Sequence, residues 1–246
     1  MDTSILTQDR EFFFFLVAQC QANYRQGHDL ANYRKIVKLH RETCSLDSIL
    51  ENNGFCDLIW DTLEAWNMNQ QGARLASRTA LRDSILKHRN ALNQLYRYKL
   101  HRLSKLEIIR NVRSSLYAVF TGLKVMDSKR RIVGVSKALH FLLPDLVIPI
   151  DGKYTMQFLY GYNRYSSDPN VEFETFMRIL FEAHTITKKL GLSESDISGQ
   201  GWNTSIPKLI DNAIIGFFKY IEGNDLQQAK AEQLLQSVQC EAALQV

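Results

Sequence analysis

Apolar residues recur at helical spacing along nearly the whole chain. Residues 8–25 and 29–42 read as two helices separated by Gly27. A third helix begins after Ser45 and breaks at Asn52-Asn53-Gly54, and the stripe Phe55, Leu58, Ile59, Leu63 and Trp66 marks the next one. The polar run 67–72 ends in Gly72, a stop or hinge. The longest predicted helix runs from about Thr79 to Leu103. Leu81, Ile85, His88, Leu92 and Leu95 give it one buried face, and Arg78, Arg82 and Arg89 share a neighbouring face. Further helices are expected at 105–123, 171–190, with Gly191 as its cap, and from Pro207 to Tyr220. A charged connector at 126–131, turn-rich loops at 162–170 and 193–203, and a Gln- and Glu-rich helix at 225–244 complete the pattern.

The stretch 132–155 departs from simple amphipathic periodicity. Ser136 is placed to N-cap a helix running to about Leu143, which Pro144 ends. The run Asp145 to Pro149 is too short and too apolar for an exposed loop, so it predicts a buried extended crossing that delivers Asp151 to the start of another helix. That helix bears Tyr154, Phe158 and Leu159 and stops near Gly161. No alternating strand pair and no repeat interrupts the chain. The fold class expected is all-α, with a multi-helix globular domain over 1–223 built as two interleaved lobes and a C-terminal helix or tail over 224–246.

Composition narrows the class. Apolar residues make up 45% and charged residues 23% of 246, a balance that supports a large buried core. The apolar run Phe12 to Ala18 is too short to span a bilayer and is flanked by Asp9, Arg10 and Glu11, so it predicts a buried helix face rather than a leader or membrane segment. Cys20, Cys44, Cys56 and Cys240 lack metal-binding spacing and read as reduced thiols of a cytoplasmic protein. No phosphate-binding glycine loop and no His-Glu-x-x-His pattern occurs, and no cofactor or metal is expected.

Charge is unevenly distributed. Between Arg74 and Lys137 sixteen Lys and Arg face three acidic residues, whereas the rest of the chain holds 14 basic and 23 acidic residues. Such a basic segment is the footprint of a surface that meets phosphates, or of a face that docks on an acidic part of the same protein.

Gly134-Val135-Ser136-Lys137, followed by Ile148-Pro149-Ile150-Asp151, resembles the core of the helix-hairpin-helix DNA glycosylases. The resemblance covers about 25 residues. It implies a lysine nucleophile, Lys137, that attacks the sugar C1′ and forms a Schiff base, and an aspartate, Asp151, that assists deprotonation and steadies the cationic transition state. Lys137 near a helix start meets the positive end of the dipole, which favours the neutral amine. The implied partner is nucleic acid, specifically DNA, held through Arg78, Arg82, Arg89, Lys129, Arg130, Arg131 and the backbone at Gly134. His140, Tyr154, Tyr162, Tyr165, Trp66 and Trp202 are candidates to line a pocket for a flipped base.

Each candidate also has a structural reading. Asp151 can be a helix cap, Lys137 a surface lysine, His140 a packed core histidine and the aromatics core side chains. Lys208 and Asp211 lie three apart and are expected as an ion pair on one helix face. Two further functions stay open: a non-catalytic nucleic-acid-binding module on the same fold, and a structural or partner-binding helical protein.

Overall fold

The computed structural model describes residues 3–24, 27–43, 45–52, 54–70, 72–161 and 166–223. The predicted C-terminal helix, Tyr162 and Tyr165 lie outside the described residues. Among those described the fold is all-α, and the β contact present is an isolated bridge between Leu75 and Met126.

A single turn, α1 (Ser4–Thr7), precedes α2 (Arg10–Asn23), α3 (His28–Glu42), α4 (Leu46–Leu50) and α5 (Phe55–Ala65). The Asp9 and Ser45 side chains accept backbone N–H groups of α2 and α4. After the connector come α6 (Arg78–Lys87) and α7 (Arg89–Tyr96). A short α8 (Lys105–Glu107) passes through a π turn, Ile108–Val112, into α9 (Arg113–Gly122). Then follow α10 (Ile132–Leu142), α11 (Gln157–Tyr160), α12 (Pro169–Lys189) and α13 (Ile206–Glu222).

The single long helix expected from Thr79 to Leu103 is corrected. His88 leaves helical geometry at φ −100°, ψ 12°, its ring packs against Gly122 of α9, and the chain ends α7 at Tyr96 before a 3₁₀ turn at Leu100–Arg102. Leu81, Ile85, Leu92 and Leu95 stay buried across the break, so the apolar face survives while Arg89 is separated from the helix that carries Arg78 and Arg82. Tertiary contact overrides the local helical pattern here.

All eleven residues of α10 are buried, which makes it the central helix of the core. Apolar side chains from α2, α5, α10, α12 and α13 join one continuous cluster around it. The most extensive helix pair is α2 on α13, brought so close at Gly216 that a Cβ there would lie 1.8 Å from the Leu16 carbonyl oxygen. Truncating a fully buried member such as Phe141 to Ala would cost about 3–5 kcal/mol. This packing fixes the two helices that carry the charged groups described next.

Candidate functional site

The start of α10 is set by a group distant in sequence. The Glu172 carboxylate, from α12, accepts the backbone N–H of Arg131 at 2.6 Å and of Ile132 at 3.1 Å. A buried carboxylate at this end satisfies free amide groups and meets the positive end of the helix dipole. The helix therefore begins one turn before Ser136, which corrects Ser136 as its N-cap and moves Lys137 out of the first turn.

Gly134 is corrected as well. It lies inside α10, buried, where a Cβ would sit 2.3 Å from the Met126 sulfur, so its small size admits Met126 and its backbone offers no phosphate cradle.

Ser136 instead has a second task. Its hydroxyl donates to the Val133 carbonyl at 2.9 Å and accepts the Ile150 N–H at 3.0 Å. One helical turn on, His140 Nδ1 donates to the Val147 carbonyl at 2.7 Å. Two polar side chains at i and i+4 thus tie the extended run 147–150 back along α10 after the reversal at Pro144, satisfying backbone groups that burial would otherwise leave bare. Because Ser136 holds Ile150, their successors Lys137 and Asp151 meet: Lys137 Nζ donates to Asp151 Oδ2 at 3.2 Å.

Asp151 is also the predicted cap. Its Oδ1 accepts the backbone N–H groups of Lys153 at 2.9 Å and Tyr154 at 3.3 Å, opening the π turn Gly152–Met156 that leads into α11. Burial pushes the Asp151 carboxyl up, but the Lys137 ammonium and these two amides outweigh it and hold the group below its ordinary range.

The pair opens into a cavity of about 590 Å³, within the range of small-ligand sites. Trp66, Trp202, Tyr24 and Tyr154 contribute aromatic wall, and Arg130 and Lys153 add positive charge. A second lysine–aspartate pair lines the same space: Lys208 donates to Asp211 within one turn of α13, and both side chains are at most 5% exposed. The Lys137 ammonium lies 5.6 Å from the Trp66 ring centre, and the Lys208 ammonium 5.5 Å from Trp66 and 5.0 Å from Trp202. Cation–π attraction of about 0.5–2 kcal/mol each helps to hold two ammonium groups in one enclosed space.

Behind the aromatic wall runs a closed chain of hydrogen bonds. Because the Val147 carbonyl can only accept, His140 carries its proton on Nδ1, and Nε2 accepts from the Tyr33 hydroxyl at 2.9 Å. Tyr33 in turn accepts from Thr204 at 2.6 Å, and its ring stacks on Trp202. Burial drives the His140 pKa down to about 3, so it is a neutral core histidine supporting the wall rather than a group in the cavity.

Of the remaining candidates, Arg130 lines the cavity and Lys129 is exposed beside it. Arg131 has a structural role, reaching the Glu172 carboxylate and the Thr121 carbonyl. Arg78 pairs with Asp57 and Asp61, Arg89 with Asp47 and Glu51, and Arg82 is exposed on α6; none of the three lines the cavity. Much of the basic segment is thus met by acidic side chains of the same chain, including Lys99 and Arg102 on Glu194 and Arg113 on Glu174.

Sequence reasoning missed Lys208 and Asp211 as cavity residues. The available signal was that they are the only charged positions between Ile206 and Phe218, in a helix apolar on every side, where a charge needs a special partner or an opening. Among the described residues no group of three or more His, Cys, Asp or Glu is placed to hold a metal, and no helix is long and apolar enough to cross a membrane. No family model, no curated protein and no solved structure matches the chain.

Proposed function

We propose that this chain is a DNA-binding enzyme of the base-excision type, a glycosylase or lyase that draws a nucleotide into the cavity and attacks its sugar with the Lys137 amine. The observation that carries the reading is the Lys137–Asp151 pair, 3.2 Å apart, opening into an aromatic-walled cavity from the two segments that resemble the helix-hairpin-helix glycosylase core. On this reading the helices flanking the cavity correspond to the two lobes of such a fold. Trp66 and Tyr154 supply planes against which an extruded base stacks. Asp151, fixed as an anion, faces the positive charge that develops on the sugar. Arg130 and Lys129 meet the phosphates at the entrance. Cys20 and Cys56, free and buried, accord with a reducing cytoplasm.

The test is covalent trapping. Incubated with duplex DNA containing an abasic site and borohydride, the protein should form an adduct that is lost in Lys137→Ala. Failure of the wild type to form one would overturn the lyase reading.

A second reading has an observation of its own: the Lys137 ammonium is already engaged by Asp151, as in a structural ion pair. The chain would then be a non-catalytic nucleic-acid-binding module. Asp151→Asn would lower stability and leave DNA affinity nearly unchanged, and no adduct would form.

A further inference from the structure

The function proposed above uses Lys137 and Asp151 and leaves the second pair of the cavity without a task. The two carboxylates differ in what holds them. Asp151 receives three donors, the Lys137 ammonium and two backbone amides, and its side chain is 27% exposed. Asp211 receives one donor, the Lys208 ammonium, and its side chain is 5% exposed. A carboxylate bound by three donors is fixed as an anion and accepts a proton poorly, whereas a buried one with a single donor accepts it readily. An amine nucleophile stored as an ammonium ion must first give its proton to some group, and Asp151 is poorly suited to take it.

We propose that Asp211 is the proton carrier of the cavity, taking the proton that the attacking lysine must shed and handing it to the leaving group. The assignment rests on the excision reading above. One ammonium proton of Lys137 passes to the Asp211 carboxylate. The freed lone pair forms a bond to C1′, the bond from C1′ to the base breaks, and its electron pair leaves with the base. The base then takes the proton from the Asp211 carboxyl, which returns to its anionic form. At an abasic site the amine adds to the C1′ aldehyde and two protons pass from nitrogen to oxygen. Asp211 carries the first from the ammonium to the alkoxide, then takes the second from the carbinolamine nitrogen and gives it to the hydroxyl, which departs as water and leaves the iminium. In the excision step one proton moves from amine to base, in the abasic-site reaction two move from amine to water, and neither involves an oxidant or reductant.

The surroundings of Asp211 favour this task. Burial pushes its carboxyl up, the Lys208 ammonium offsets only part of that, Asp151 adds to the rise and Lys137 opposes it. Those four groups come from α13, α10 and the start of the π turn before α11. From α2 the Cys20 thiol also faces Asp211, and from α3 the Tyr33 phenol. Burial raises the Cys20 pKa to about 12 and raises that of Tyr33 as well, so both keep their protons near neutrality and neither competes as an acceptor.

Two measurements test the proposal separately from the excision reading. The first is a carbon-13 titration of the full chain with labelled aspartate carboxyls, assigned through bonds so that no variant is required. Asp211 should titrate above its ordinary value of 3.8 and Asp151 below it. The reverse order, or coincident midpoints, overturns the proposal whether or not the protein acts on DNA. The second is the pH dependence of borohydride-trapped adduct formation on an abasic duplex. Asp211→Asn should slow trapping about 100-fold and abolish the acid limb of the profile, while Asp211→Glu keeps the limb. Trapping by Asp211→Asn within a few-fold of wild type, with the limb unchanged, overturns the proposal. Absence of a wild-type adduct despite the expected titration order removes the excision reading, and the transfer step falls with it.

Discussion

Two lysine–aspartate pairs face one cavity, yet their backbones give them different chemistry. Lys137 and Asp151 stand 14 positions apart and are joined by the fold; Lys208 and Asp211 are neighbours on one helix turn. Asp151 caps a helix start and is partly open to solvent, so its charge is sustained by amides as well as by its lysine. Asp211 has no such amides and depends on Lys208 alone in a nearly closed space. Residue type and pair distance therefore say little about protonation; donor count and burial decide it.

The largest effect that separates the pairs is on stability. Lys208→Met leaves a buried carboxylate with no partner and should destabilise by about 3–5 kcal/mol, measured by urea unfolding. The double variant Lys208→Met with Asp211→Leu should recover most of that loss, because an apolar pair of similar volume replaces an ion pair whose desolvation is costly. Recovery of less than half would show that the pair stabilises the fold beyond cancelling its own charges. Asp151→Asn should cost less, about 1–3 kcal/mol, since the amide oxygen can still accept the two backbone N–H groups and water reaches the site.

Acid titration of stability should divide the pairs by sign. Asp151 has its carboxyl depressed by folding, so the unfolded chain binds more protons below pH 3.8, and its contribution is present above that value and lost as pH falls through its folded-state pKa. Asp211 has its carboxyl raised, so the folded chain binds more protons above pH 3.8, and stability falls as pH rises toward its folded-state pKa. Subtracting the unfolding profile of Asp151→Asn from wild type should therefore remove a loss on the acid side. Subtracting that of Asp211→Asn should remove a loss on the opposite side of 3.8. Curves of the same sign would merge the two pairs into one class.

Much of this was legible in the sequence, and the exceptions have physical causes. Ser45, Asp151 and Pro207 marked helix starts through side-chain or φ chemistry that acts within three residues, whereas the Asp9 cap of α2 emerged only from the structure. The buried crossing expected over Asp145 to Pro149 was legible from its prolines, although the chain turns at 144–146 with Asp145 half-exposed and the buried extended run is 147–150. Its attachment to α10 through Ser136 and His140 was not, because side-chain to backbone hydrogen bonds across 14 and 7 residues leave no periodic trace. The start of α10 was misplaced because Glu172, 40 residues on, supplies its cap. The break at His88 came from the approach of α9, which nothing local in 79–103 reveals. Lys137, Asp151, Tyr154, Trp66 and Trp202 were placed in one site from local motifs and aromatic content, whereas Lys208 and Asp211 were hidden by the ordinary meaning of an i, i+3 pair.

The smallest expected effect concerns the basic segment and contrasts its paired and unpaired cations. Arg78 and Arg89 each contact two carboxylates, so binding a phosphate requires exchanging one anion for another with little net release of counterions. Lys129 and Arg130 are exposed, contact no carboxylate among the described residues, and Arg130 reaches the cavity. If nucleic acid binds across the cavity entrance, replacing Lys129 and Arg130 with Gln should flatten the dependence of log affinity on log salt by about one unit for each phosphate left without its cation. Replacing Arg78, Arg82 and Arg89 with Gln should change the slope by less, although three charges are removed instead of two. Equal slopes in wild type and the Lys129, Arg130 variant would place the phosphate-binding surface elsewhere. A larger change in the triple variant would mean that the acidic partners release those arginines on binding, and salt-independent binding by the wild type would end the nucleic-acid reading.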